Sequence, residues 1–122
     1  MKAAIVILVI ILVGCASSQT DVPQDISLAD QGYTELVNEN YERAEAIFKV
    51  ALSINPENPY ALLNLGVLYQ DTGQIEKARA VYKKLIDLNP DAIAVKSTSN
   101  KFKRKKLVDI AKENLEAIGS EP

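Results

Sequence analysis

Histidine and tryptophan are absent from the chain, and cysteine occurs once, at Cys15. Without histidine, the commonest general base, nucleophile partner and transition-metal ligand is missing. A lone thiol permits no disulfide within the chain and no cysteine-based metal site. No GxSxG elbow, Ser-x-x-Lys pair, HExxH helix or glycine-rich phosphate loop occurs either. The carboxylate pairs Glu42/Glu45 and Glu113/Glu116 have the i, i+3 spacing of solvated helix faces. These absences argue against an enzyme, and no cofactor or metal is expected. A net charge of −2 over 122 residues, with 25% charged residues, also argues against a nucleic-acid binder or a disordered chain.

The charge that is present is unevenly spread. Residues 21–57 hold eight acids against two bases, Arg43 and Lys49. Residues 96–106 hold six bases and no acid: Lys96, Lys101, Lys103, Arg104, Lys105 and Lys106. An electrically polar molecule is expected, with a basic patch over Lys101, Lys103, Arg104, Lys105 and Lys106.

At the start, Lys2 precedes an apolar run from Ala3 to Val13, and Gly14 precedes Cys15. Eleven apolar residues fall short of the roughly 20 that span a membrane and fit the about 7–15 of a signal-peptide core. The stretch Leu12-Val13-Gly14-Cys15 resembles a bacterial lipobox. That resemblance implies removal of a leader, residues 1–14, and acylation of Cys15. Ala16 after the cysteine implies sorting to a Gram-negative outer membrane, facing the periplasm. Residues 15–24 then read as the lipidated cysteine and a small, polar, proline-containing tether.

Beyond the tether the chain repeats itself. Residues 25–58 and 59–92 align without a gap over 34 positions with eight identities: Leu28/Leu62, Gly32/Gly66, Glu42/Glu76, Ala44/Ala78, Ala46/Ala80, Lys49/Lys83, Asn55/Asn89 and Pro56/Pro90. Each unit reads as two helices. Asn58-Pro59 opens one and Thr72-Gly73 closes it; the next runs from about Ile75 to Leu88 and stops at Asn89-Pro90. In the first unit, Ser27 with Asp30 reads as a capping box, and the second helix runs from about Tyr41 to Ile54. Small residues at Gly32, Ala44, Gly66 and Ala78 mark a close helix–helix approach. Leu107, Ile110, Ala111, Leu115 and Ile118 share one face of a further helix, and Phe102 has no place on that stripe.

With these residues the chain resembles the tetratricopeptide repeat family, over residues 25–92. The small residues at Gly32, Gly66, Ala44 and Ala78, the aromatics Phe48 and Tyr82, and Pro56 and Pro90 fall on that family's positions. Glu35 and Glu39 depart from it, where Tyr69 and Gly73 conform, so the first unit is the more divergent. The resemblance implies an all-α fold: two helix-turn-helix hairpins of an α-solenoid, residues 25–58 and 59–92. Residues 93–122 form a lead-in, a basic capping helix and a tail. Leu85, at the position facing a further repeat, implies that the segment after Pro90 docks at wider separation. Because three repeats are generally needed for a stable stack, a partner or a second copy in a homo-oligomer is expected to complete it.

The family's concave face implies a partner-binding surface for a peptide or helix. By position it holds Asp30, Tyr33 and Leu36 from the first unit, beside Ala29. The second unit contributes Leu63, Asn64, Val67, Gln70 and Asp71. Asn64 stands out, because its amide both donates and accepts. The family's basic clamp for a terminal carboxylate is missing, with Ala29 and Leu63 in place of cations. Two functions are open at this point. One is a membrane-anchored adaptor of the bacterial envelope, resembling pilotin-like lipoproteins that assist pilus or secretion complexes. The other is an envelope-structural or anionic-lipid-binding lipoprotein acting through the basic helix, at about 1 kcal/mol per Lys or Arg near the leaflet.

Overall fold

The computed structural model describes residues 21–96 and 101–119. Proline and asparagine set the helix limits. Asn58 caps α3 (Pro59–Asp71): its Oδ1 accepts from the Ala61 amide at 3.0 Å, and Pro59 takes the first helical position, where a missing N–H costs nothing. The helix ends at Asp71 with Thr72 as its cap, after which Gly73 turns the chain at φ 74°. The next helix, α4, spans Ile75–Leu88 and stops at Asn89, itself left-handed at φ 45°. The first pair is α1 (Gln24–Val37) and α2 (Tyr41–Ile54). The last helix is α5 (Leu107–Gly119). Among the described residues the fold is all-α, with one isolated antiparallel bridge between Ile93 and Lys106.

Two expectations are corrected. Ser27 does not cap α1. The helix starts three residues earlier, at Gln24 after Pro23, and the Ser27 amide already donates to the Pro23 carbonyl at 3.0 Å. A long-range network overrides the local capping signal. Asp25 is buried, and its Oδ2 accepts from Asn55 Nδ2 at 3.0 Å and Asn58 Nδ2 at 2.9 Å, which ties the start of α1 to the turn between α2 and α3. The second correction concerns the basic run, which does not open the capping helix. Lys101–Arg104 form a turn, and α5 begins only at Leu107. Backbone bonds explain this: the Arg104 amide donates to Ala94 O at 2.8 Å and the Ala94 amide to Lys105 O at 2.8 Å. Those pairings, with Arg104 left-handed at φ 68°, hold the chain in a turn where helical bonding would otherwise continue.

The pairs α1/α2 and α3/α4 are antiparallel hairpins, α3 packs against both helices of the first pair, and α5 lies on α4 and α3. At the centre of each hairpin an aromatic ring seats on a glycine. A Cβ built on Gly32 would fall 2.4 Å from Phe48 Cε1, and one on Gly66 would fall 2.4 Å from Tyr82 Cε1. Both rings are fully buried, as are Ala44 and Ala78 beside them, so the rings have nowhere to retreat. Leu85 is fully buried as well, within the cluster that α5 joins, and the described residues between α4 and α5, 89–96 and 101–106, form no helix.

These contacts make two predictions. A helical glycine replaced by alanine ordinarily gains about 0.5–1 kcal/mol. At Gly32 the ring clash reverses the sign: Gly32→Ala should lose roughly 1–2 kcal/mol in urea unfolding, and Phe48→Leu in the same chain should recover part of that loss in a double-mutant cycle. The Asn55 and Asn58 amides hold the Asp25 carboxyl below the usual carboxylate range, against the burial that pushes it up. The folded state therefore binds this proton less readily than the unfolded one, so the contribution to stability is complete above about pH 4 and disappears as pH falls below it. Asp25→Asn should cost about 1 kcal/mol at pH 6 by urea unfolding, and the gap to the parent chain should narrow progressively as pH falls below about 4.

Candidate functional site

The first helix of each hairpin and α5 line an open groove of about 570 Å³. Every residue placed on the concave face by sequence position lines it. Asp30, Tyr33 and Leu36 come from α1, beside Ala29; Leu63, Asn64, Val67, Gln70 and Asp71 come from α3. The helical period explains the set, since Leu63, Val67 and Gln70 recur at spacings of three and four along one face of α3. Position within the repeat does not give the third wall. Leu107, Ile110 and Asn114 of α5 close one side, and Ala94, Val95, Lys96 and Phe102 of the preceding segment supply a rim.

Polar groups in the groove differ in how far they are engaged. Asn64 is half-buried, and its amide has no partner among the described residues, so both donor and acceptor face the groove unspent. Gln70 is partly committed: its Oε1 accepts from the Tyr82 hydroxyl at 2.8 Å. That hydroxyl in turn accepts from Asn114 Nδ2 at 3.3 Å, so a core tyrosine joins α3, α4 and α5 behind the groove wall. Burial pushes the Tyr82 phenol well above its ordinary pKa, which keeps it a donor to Gln70. Asp30 is paired with Lys96 at 2.5 Å.

The far end of the groove is acidic. Asp71 ends α3 and Glu39 lies just past the end of α1. Partial burial, and then the charge of Glu39, raise the Asp71 carboxyl above its usual range. Tyr41, at the same end, is raised by burial and by both carboxylates. Glu39 occupies the turn position that Gly73 fills in the second repeat, and it adopts the left-handed φ of 61°. For a residue with a side chain that conformation costs about 1–2 kcal/mol.

The basic run is partly neutralised within the chain, where three carboxylates, Asp30, Asp91 and Glu113, pair with four of its six cations. Lys106 pairs with Asp91 at 2.9 Å, Lys101 with Glu113 at 3.3 Å, and Lys105 also with Glu113. Lys103 and Arg104 are exposed and make no ion pair among the described residues. The expected charge separation along the molecule is thereby reduced, because Lys96 folds back onto Asp30 of the acidic first repeat. Phe102 is half-buried at the groove rim, with the Lys101 and Lys105 ammoniums 5.1 and 5.7 Å from its ring centre. Glu45, one of the paired helix-face carboxylates, accepts from the Tyr69 hydroxyl at 3.0 Å and pairs with Lys49 at 2.8 Å. Among the described residues no group of three acids, cysteines or histidines could hold a metal, and no helix is long and apolar enough to cross a membrane. Cys15 and the apolar run before it lie outside the described residues.

Stacked antiparallel helix pairs with a groove along one face define a helical-repeat protein. Residues 36–101 match the tetratricopeptide repeat, and the chain belongs to that family. It is similar to protein O-mannosyl-transferase TMTC2 of Homo sapiens, with 35% identity over 61 residues, covering 50% of this chain and 7% of that protein. It is also similar to anaphase-promoting complex subunit 3 of Schizosaccharomyces pombe, with 27% identity over 73 residues, covering 60% and 11% respectively. The chain thus spans only 7% and 11% of the length of these two relatives. No solved structure matches it. Tetratricopeptide repeats are protein-interaction modules, and that is the class in which this chain falls.

Proposed function

We propose that the chain is an adaptor that binds a peptide or helix of a partner protein in the groove between α1, α3 and α5. The observation that carries this reading is the unspent amide of Asn64, set in an open, mainly apolar cleft beside Leu63 and Val67. A peptide backbone offers that amide both the donor and the acceptor it lacks. No catalytic step is assigned to the groove; the chain acts by binding. One relative is by its name a subunit of a larger complex, which accords with an assembling role.

The working place is read from the amino-terminal pattern. Residues 1–14 act as a lipoprotein leader, Cys15 carries the fatty chains, and residues 16–23, one residue shorter than the sequence alone implies because α1 starts at Gln24, tether the repeats to an outer membrane on its periplasmic side. At that location the partner is an envelope protein, and assembly of a pilus or secretion complex is the kind of task such an anchored adaptor serves. The basic-surface alternative has less support: its cations are mostly paired with Asp30, Asp91 and Glu113, leaving Lys103 and Arg104.

Affinity capture from envelope extract separates the two. A Tyr33→Ala/Asn64→Ala chain should lose its partner, whereas Lys103→Ala/Arg104→Ala should keep it; the reverse pattern assigns the function to the basic turn. Cys15→Ser should release the chain from the membrane fraction, and full retention of that variant would contradict the lipid anchor.

A further inference from the structure

The groove is electrically one-sided, and this specifies the chemistry of its occupant. Lys96 is the one cation among the described residues that line it, and Asp30 already neutralises it. At the carboxyl ends of α1 and α3, Glu39 and Asp71 make no ion pair among the described residues. The same end gathers the carboxyl termini of α1 and α3, which carry partial negative charge, and neither helix has a basic residue in its last turn. The amino termini of α2 and α4, which the antiparallel hairpins bring to the same end, offset the helix-end charge, and the two carboxylates face solvent together with no cation paired to them among the described residues. Beside them the lining is apolar, with Leu36, Leu63 and Val67 from α1 and α3 and Ile110 from the α5 wall. Val37 and Val95 stand exposed at the rims, at 46% and 65%.

We propose that the groove seats a cationic amphipathic segment of the partner, apolar along its length and carrying lysine or arginine where it passes Glu39 and Asp71. This rests on the groove being the binding site. Apolar side chains of the segment cover Val37, Val67 and Val95, and its backbone meets Asn64. Its cation sits at the junction of α1 and α3. An acidic segment is disfavoured, since it would bring further carboxylates against Glu39 and Asp71. The cost of Glu39 in a left-handed turn has a counterpart in function: the side chain that glycine would lack is the one that presents the charge.

Random twelve-residue peptides displayed on phage and selected on the full chain test this, with the enriched peptides synthesised and their affinities measured by fluorescence anisotropy. Enriched sequences should combine leucine, isoleucine, valine or phenylalanine with at least one lysine or arginine. Glu39→Gln/Asp71→Asn, checked for native helicity by circular dichroism, should weaken them about five- to tenfold, as two partly exposed ion pairs would. Tyr33→Ala/Asn64→Ala should weaken them as well. Peptides that are acidic or uncharged, lose affinity with Tyr33→Ala/Asn64→Ala and ignore Glu39→Gln/Asp71→Asn would overturn the charge assignment and leave the groove as the site. If no peptide is enriched, or the enriched ones ignore Tyr33→Ala/Asn64→Ala, the groove reading falls and the charge assignment with it.

Discussion

Everything in this molecule is arranged around a ring resting on a glycine. Phe48 over Gly32 and Tyr82 over Gly66 set how near the two helices of each hairpin approach, and neither contact has room for one additional carbon. That spacing brings α3 against both helices of the first pair, so that α1 and α3 present their remaining faces side by side. The groove is the consequence of the stacking and not a separate device. In the second repeat the ring also carries a hydroxyl, which reaches Gln70 on the groove and Asn114 on α5. The contact that packs the core therefore orients one groove side chain and helps to seat the final helix.

The two repeats share a pattern and use it differently. Asn55-Pro56 and Asn89-Pro90 are equivalent in sequence. Asn55 adopts an extended conformation and leads through a short turn to Asn58, the cap of α3. Asn89 turns left-handed and leads into irregular chain. The two asparagines differ because their surroundings differ. After the first repeat, Asp25 accepts from both Asn55 and Asn58; after the second, the bridge between Ile93 and Lys106 delays the next helix until Leu107. As a result α5 covers α4 without extending the repeat series, and the groove acquires a third wall and an irregular rim.

Helix limits were legible because they are encoded locally. Asn-Pro, Thr-Gly and the three- and four-residue recurrence of Leu62, Leu65, Gly66 and Tyr69 act within a few residues of where they stand in the chain. The groove residues of α1 and α3 were legible for the same reason, given a repeat of known period. What escaped depends on partners far along the chain. Ser27 yields to bonds made across 30 and 33 residues by Asn55 and Asn58, and Lys96 is neutralised by an acid 66 residues away. No periodic pattern carries such pairings. Phe102 lies off the α5 stripe because it belongs to a turn, where helical phase has no meaning.

The central claim is that the face created by this stacking is where a protein segment binds. Amide chemical-shift mapping of the isotope-labelled chain, titrated with the segment of its captured partner, tests it most directly. Perturbations should concentrate at Tyr33, Asn64, Val67 and Asp71 and extend to Ile110 and Asn114. Perturbations confined to the outer surfaces of α2 and α4, or to Lys103 and Arg104, would contradict it.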